Sequence, residues 1–333
     1  MWNHYIFGGG AVGGWKELAR TTLGSNSSTL DVSSLSNKRY YMTLFYGGTT
    51  ASAQPWFRFN SDSGSTYSNR YQINGGADGT SVNDTSIYPY QTTSTNDFGI
   101  HYIANYSTKE KLVISNSIEQ STAGAGNAPA RREMVSKWAN TSNAISSVNY
   151  IMSSDSLTSG SEVVVLGWDP ADTHSNNFWT ELASTTLTSA SSTLSSGTFT
   201  AKKYLWIQAY IITGTELNSL FRFNGDTANN YSNRQSRNGG VDSTNTSIGH
   251  ANIFSTYAVP AFINMFVVNV SSKEKLVIGH LVQRNTAGAG NAPNREEFVF
   301  KWANTSSQIT DATFTGSSGN IGSGSIIKVW GSD

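Results

Sequence analysis

The chain has 333 residues and a formal net charge of zero, with Lys+Arg and Asp+Glu both at 22. The charged fraction is 13%, against about a quarter in ordinary proteins, and the zero net charge argues against a protein whose main task is holding phosphate backbones, because that task needs a positive field. The lack of cysteine excludes disulfides, thiolate nucleophiles and Cys-ligated zinc, and 15 Tyr, 15 Phe and 9 Trp exclude a disordered chain.

The first residues, MWNHYIFGGGAVGGWKEL, lack a basic start and a long apolar stretch, so no secretory signal is expected there. No apolar run approaches the ~20 residues of a membrane helix, so no membrane insertion is expected. Trp15-Lys-Glu-Leu-Ala19 suits a single helical turn. Thereafter, runs rich in β-branched and aromatic residues alternate with Gly, Asn, Ser and Pro clusters, which is strand-and-turn texture. The predicted strands of the first half are 28–32, 40–46, 55–60, 67–72, 99–106, 111–119, 133–139, 145–149 and 162–166. A short joint, 167–174, contains Pro170. The clear strands of the second half are 204–212, 219–224, 262–270, 275–283, 297–303 and 325–330.

The two halves are one text written twice. Phe57-Arg58-Phe59-Asn60 returns as Phe221-Arg222-Phe223-Asn224, and Lys109-Glu-Lys-Leu-Val-Ile114 returns as Lys273-Glu-Lys-Leu-Val-Ile278. Thr122-Ala-Gly-Ala-Gly-Asn-Ala-Pro129 returns as Thr286-Ala-Gly-Ala-Gly-Asn-Ala-Pro293, and Lys137-Trp-Ala-Asn-Thr-Ser142 as Lys301-Trp-Ala-Asn-Thr-Ser306. All share an offset of 164 residues. The expected fold is therefore all-β: two tandem antiparallel β-sandwich domains, jelly-roll-like, over 1–167 and 168–333.

Four constellations are candidates for function. Arg58, Asp62, Tyr67 and Arg70 recur as Arg222, Asp226, Tyr231 and Arg234. A guanidinium fork beside a Tyr face suits a glycan or an anion, Asp and Asn oxygens suit calcium, and an ion pair with an Asx turn suits the fold itself. The Thr-Ala-Gly-Ala-Gly-Asn-Ala-Pro loop lacks the Lys of a phosphate loop. It reads as a connector or as a contact loop.

Catalysis has no positive signal. His4, His101, His174, His250 and His280 have no equivalents across the copies and no metal-ligand spacing. The carboxylates Glu17/Glu181, Asp78/Asp242 and Glu133/Glu297 recur, but as surface or turn residues. No catalytic residue, metal or cofactor is expected, and nucleic acid is not an expected partner. Trp56, Trp168 and Trp206 lack a Trp in the other copy, which makes them interface candidates. The eight Asn-X-Ser/Thr sequons are expected by chance in a chain this rich in those residues.

The run Leu220-Phe-Arg-Phe-Asn-Gly-Asp226, then Glu274-Lys-Leu-Val-Ile278, Asn285-Thr-Ala-Gly-Ala-Gly-Asn-Ala-Pro-Asn-Arg-Glu296 and Lys301-Trp-Ala-Asn-Thr-Ser306, resembles a repeat of virion structural proteins of tailed bacteriophages. The resemblance spans nearly all of both copies. It implies a virion-exterior protein, either capsid decoration (cement) or a tail fibre or spike component, assembled in the host cytoplasm. Other virion proteins would be its partners, a homo-oligomer (a trimer by analogy) its state, and a host-surface glycan an alternative partner. The first copy departs from the repeat at Ser61, where the second has Gly225.

Overall fold

The computed structural model describes residues 14–90, 95–152, 154–170, 172, 176–212, 219–253, 260–284 and 286–333. His4 and His174 lie outside the described residues. Among the described residues every regular element is a β-strand.

The chain forms two compact units. Unit 1 takes Met1–Ser121 and Arg131–Phe178, and unit 2 takes Thr122–Ala130 and Trp179–Asp333. The sequence reading divides the chain once, at 167/168. The structure divides it after Phe178, and the first copy of the Gly-rich loop folds as part of unit 2.

The strands of unit 1 are β1 (Lys16–Thr22), β2 (Thr29–Val32), β3 (Tyr40–Gly48), β4 (Pro55–Phe59), β5 (Tyr67–Ile73) and β6 (Gly79–Asp84). They continue with β7 (Asn96–Ala104), β8 (Lys111–Glu119), β9 (Ala130–Trp138), β10 (Val148–Met152) and β11 (Glu162–Trp168). They form an eight-stranded sheet, β1-β11-β3-β7-β8-β9-β5-β6, and a three-stranded sheet, β2-β10-β4. The β1–β11, β11–β3, β3–β7, β7–β8, β9–β5 and β5–β6 pairings of the large sheet and both pairings of the small sheet are antiparallel.

Unit 2 runs β12 (Thr180–Thr186), β13 (Thr193–Ser195), β14 (Tyr204–Ile211), β15 (Ser219–Phe223), β16 (Tyr231–Arg237) and β17 (Ser243–Ile248). It ends with β18 (Ala251–Asn252), β19 (Ala261–Val268), β20 (Lys275–Gln283), β21 (Asn294–Trp302), β22 (Ala312–Gly316) and β23 (Ile326–Ser332). Its large sheet, β12-β23-β14-β19-β20-β21-β16-β17, repeats the strand order of unit 1, and β13-β22-β15-β18 forms the second layer. Each unit is thus an antiparallel β-sandwich, jelly-roll-like in that sequence neighbours are split between layers.

Strand periodicity builds each core. In β4, Pro55, Phe57 and Phe59 are buried while Trp56 and Arg58 are half-buried, as period-two alternation requires. Phe57, Phe59, Val148 and Tyr150 from the small sheet share one cluster with Phe45, Ile103, Val113, Trp138 and Val165 from the large sheet. The corresponding cluster of unit 2 holds Phe221, Phe223, Phe314, Val277, Phe300 and Trp302.

Three features depart from the sequence reading. β6, β13, β16, β17, β18 and β22 were not expected: β13 and β18 are only 3 and 2 residues long, Ser, Thr and Asn dominate β6 and β17, which lie at sheet edges, β16 is polar beyond Tyr231, and a Gly-rich tract follows β22. The strand expected at 145–149 is shifted to Val148–Met152. The predicted helical turn is instead an edge strand with a β-bulge between Glu17 and Ala19, repeated between Glu181 and Ala183. The extra residue lets Leu18 and Ala19 both pack on the core, which period two alone would forbid.

The bulge needs a glycine beneath it. A Cβ on Gly167 would lie 2.5 Å from Leu18 Cδ1, and one on Gly331 would lie 2.6 Å from Leu182 Cδ1. Gly167→Ala is therefore expected to cost about 1–3 kcal/mol by overpacking. In a Leu18→Ala background the same substitution should cost less, which calorimetric melting of the four-member cycle would read.

Candidate functional site

The Arg–Asp–Tyr–Arg constellation divides between two faces. Asp62 follows a turn in which Asn60 and Ser61 have φ of 52° and 54°. Asn60 Oδ1 accepts from the Ser146 and Ser147 amides at 2.7 and 3.1 Å. Asp62 then accepts from the Gly64 amide at 2.8 Å, the Thr66 hydroxyl at 2.9 Å and the Trp138 indole at 2.7 Å. Tyr67 is buried, accepts the Phe59 amide at 3.0 Å, and stacks on Trp138 with centroids 6.3 Å apart. Arg58 donates to the Thr85 carbonyl at 2.9 Å. Asp62 and Tyr67 lock the corner between β4 and β5, and Arg58 ties β4 to the segment that follows β6.

Unit 2 repeats the corner. Asp226 accepts from the Ala228 amide, the Asn230 amide group and the Trp302 indole at 2.8, 2.9 and 2.7 Å. Tyr231 accepts the Phe223 amide at 2.9 Å, and Arg222 donates to the Gly249 carbonyl at 2.8 Å. Desolvation would raise both carboxyls. The hydrogen bonds from Trp138, Gly64 and Thr66, with the Arg58 charge, outweigh it and hold Asp62 below its ordinary value. Asn230, Trp302, Ala228 and Arg222 do the same for Asp226.

Arg70 and Arg234 are not part of that corner. They lie three residues beyond Tyr67 and Tyr231 in β5 and β16, so their side chains leave the opposite face of the sheet. Arg70 faces Asp78 at 3.5 Å, both more than half exposed.

The unmatched tryptophans pack within their own units. Trp56 meets Tyr88 edge-on at 5.8 Å. Trp168 stacks on Tyr40 at 5.3 Å. Trp206 is buried, stacks on Phe266 at 5.3 Å and donates to Asn264 at 2.6 Å.

The recurring carboxylates meet cations: Glu17 meets Arg20 at 2.6 Å, Glu133 meets Arg131 at 2.5 Å, and Glu181 meets Lys328 at 2.9 Å. Among the described residues no three His, Asp or Glu gather as metal ligands. His101 has the partners of a nucleophile–base pair, with Ser115 Oγ at 2.8 Å and Tyr90 Oη at 3.0 Å. His101 and Ser115 are 0% and 2% exposed and sit against Phe57 and Tyr150, so the pair is sealed from solvent. Burial pushes the imidazole down to about 3, keeping it neutral.

An exposed apolar surface lies on the outer face of the large sheet in unit 1. Alternation in β8 sends Val113 inward and Leu112 and Ile114 outward. Leu112, Ile114, Val135 and Val82 are 58%, 56%, 50% and 69% exposed. They line a groove of about 490 Å³ with Ser68 and Arg70. Glu110, just before β8, and Lys137 of β9 form an exposed ion pair at 3.2 Å beside it. Sequence reasoning used Leu112 and Ile114 only as strand formers. The period-two alternation around Val113 was the signal that could have placed them outside.

The sequence matches no protein-family model and no curated protein. Among solved structures it is similar to the mouse laminin alpha1 chain, domains LG4-5, at 10% identity over 95% of this chain and 90% of that one, with a TM-score of 0.19. It is also similar to Ail, the attachment invasion locus protein of Yersinia pestis, at 5% identity over 84% and 99%, TM-score 0.13. Neisserial surface protein A matches at 8% identity over 84% and 99%, TM-score 0.12. TM-scores of this size establish no common fold.

Two outcomes follow from the corner and the buried imidazole. Asp226→Ala leaves the buried Trp302 indole without its acceptor and should cost unit 2 about 1–3 kcal/mol. Asp226→Asn should cost less, because its amide oxygen still accepts; thermal melts of both variants would measure the difference. The Asp226 contribution is present above the ordinary carboxylate pKa and is lost as pH falls through the lowered one. For His101 both states are neutral above its ordinary value. Below it the unfolded chain takes a proton that the folded chain refuses, so stability falls with pH. At pH 5 that loss is about 2 kcal/mol. Substituting His101→Met, the residue that unit 2 has at Met265, should flatten this slope in denaturant titrations at pH 7 and pH 5.

Proposed function

We propose that this chain is a structural protein of a tailed-bacteriophage virion exterior, acting by protein–protein assembly as a capsid decoration protein or a tail-fibre component. The observation that supports assembly best is the outer face of unit 1. It combines exposed Leu112, Ile114 and Val135 with the Glu110–Lys137 and Arg70–Asp78 pairs. Exposed apolar surface rimmed by charge favours a protein partner. The repeat text supports the virion setting by resemblance. The reading is non-enzymatic and assigns no cofactor. Arg58, Asp62 and Tyr67 are committed to backbone and indole partners, which leaves a glycan the second choice.

The test is the copy number of this protein in purified particles, by quantitative mass spectrometry against the major capsid protein. A number comparable to the capsid protein supports decoration. A small multiple of three or six supports a tail or fibre position. Absence from particles overturns the virion reading.

A further inference from the structure

The two copies of the Gly-rich loop have identical sequences and different surroundings. The first, Thr122–Pro129, is held within unit 2 by five hydrogen bonds. The Ser247 amide donates to the Ala125 carbonyl at 2.8 Å, Ser232 Oγ to the Asn127 carbonyl at 2.9 Å and Arg234 Nε to the Pro129 carbonyl at 2.8 Å. The Gly124 amide donates to Glu274 at 2.5 Å, and Lys301 Nζ donates to the Thr122 carbonyl. All five of these loop groups are backbone, so small residues matter here because they let the backbone approach closely. Pro129 is buried at the end of the loop.

The face that receives this loop is closed. Leu276, Ile278 and Val299 are 0%, 4% and 1% exposed. The Lys301–Glu274 pair, at 3.5 Å, is 0% and 5% exposed.

Unit 1 carries the same receiving face, open. At the 164-residue offset, Ser232, Arg234, Glu274 and Lys301 become Ser68, Arg70, Glu110 and Lys137. Ser247 becomes Asn83, and the backbone is kept, with φ of 51° and 54°. Leu276, Ile278 and Val299 become Leu112, Ile114 and Val135, each at least half exposed. The Lys137–Glu110 pair is 44% and 41% exposed. The second loop, residues 286–293, is exposed along its whole length, Pro293 included.

From this pairing we infer that the exposed loop 286–293 of one chain docks on the outer sheet face of unit 1 in a second copy of the same chain. The predicted contacts are those of the first loop. Ser68 and Arg70 donate to the Asn291 and Pro293 carbonyls, and the Asn83 amide to the Ala289 carbonyl. Lys137 donates to the Thr286 carbonyl, and Glu110 accepts the Gly288 amide. Donor and receiver are different surfaces, so the contact is heterologous and propagates head to tail into a ring or a filament. It stands on geometry within each unit and does not depend on the virion reading.

The experiment is sedimentation velocity on the full chain over a wide dilution series. Wild type is expected to show species larger than a monomer that grow with concentration. A receiver variant, Glu110→Lys with Lys137→Glu, keeps net charge and a surface ion pair but opposes the loop amide with a cation and the loop carbonyl with an anion. A donor variant, Ala289→Arg with Ala292→Arg, changes exposed residues only. Each is expected to be monomeric with an unchanged melting temperature. Mixed one to one, they should give a heterodimer and nothing larger, because only one compatible contact remains. A monomeric wild type would overturn the inference. So would a donor variant that still self-associates, or a folded pair of variants that fails to combine. Failure here would leave the copy-number test untouched, and absence from particles would leave this contact standing.

Discussion

An eight-stranded sheet laid on a three- or four-stranded one has more face than its partner layer covers. This imbalance governs most of the molecule. The inner faces close on each other and make the two aromatic cores. The outer faces of β8 and β9 carry Leu112, Ile114 and Val135, and those of β20 and β21 carry Leu276, Ile278 and Val299; strand alternation turns these side chains away from the core between the two layers. Unit 2 draws the loop Thr122–Ala130 into its own compact body. In unit 1 the equivalent face presents Leu112, Ile114 and Val135 to solvent.

Most of the repeated text serves the backbone. Asn60 and Asn224 cap turns through their side-chain oxygens. Asn140 and Asn304 do so for the amides that follow them. Lys111 and Lys275 are buried and donate to the Asn140 and Asn304 carbonyls, each at 2.8 Å. Buried backbone groups need partners, and long connections between layers create many such groups. A chain rich in Ser, Thr and Asn is what that demand selects. The sequons at Asn105 and Asn269 belong to this class, since both side chains are almost fully buried.

Differences between the copies show where the fold tolerates change. Unit 1 places the polar trio Tyr90, His101 and Ser115 in its core. Unit 2 has Met265 and Gly279 at the His101 and Ser115 positions. A Cβ on Gly279 would lie 2.2 Å from Phe298 Cζ, so Phe298 occupies the space that a serine would need. At the β4–β5 corner, Ser61 adopts the left-handed φ that Gly225 adopts without a side chain. The turn is held by the Asn, Asp and Trp around it and survives the loss of glycine at some cost in strain.

Much was legible in the sequence. Alternation and turn chemistry gave the all-β class and most strands. The fixed offset gave two copies, and eight-residue identity marked the Gly-rich loop. These are local properties, set by neighbours in the chain. The grouping of the candidate site was not local. Arg70 stands three residues from Tyr67, yet the strand sends the two to opposite faces. Glu110 and Lys137 read as scattered charges until β8 and β9 pair. The two identical loops could not be told apart, because their difference lies in what each one touches. Sequence determined which surfaces exist, through period and composition. Tertiary structure alone decided which copy of each surface is covered and which is left open.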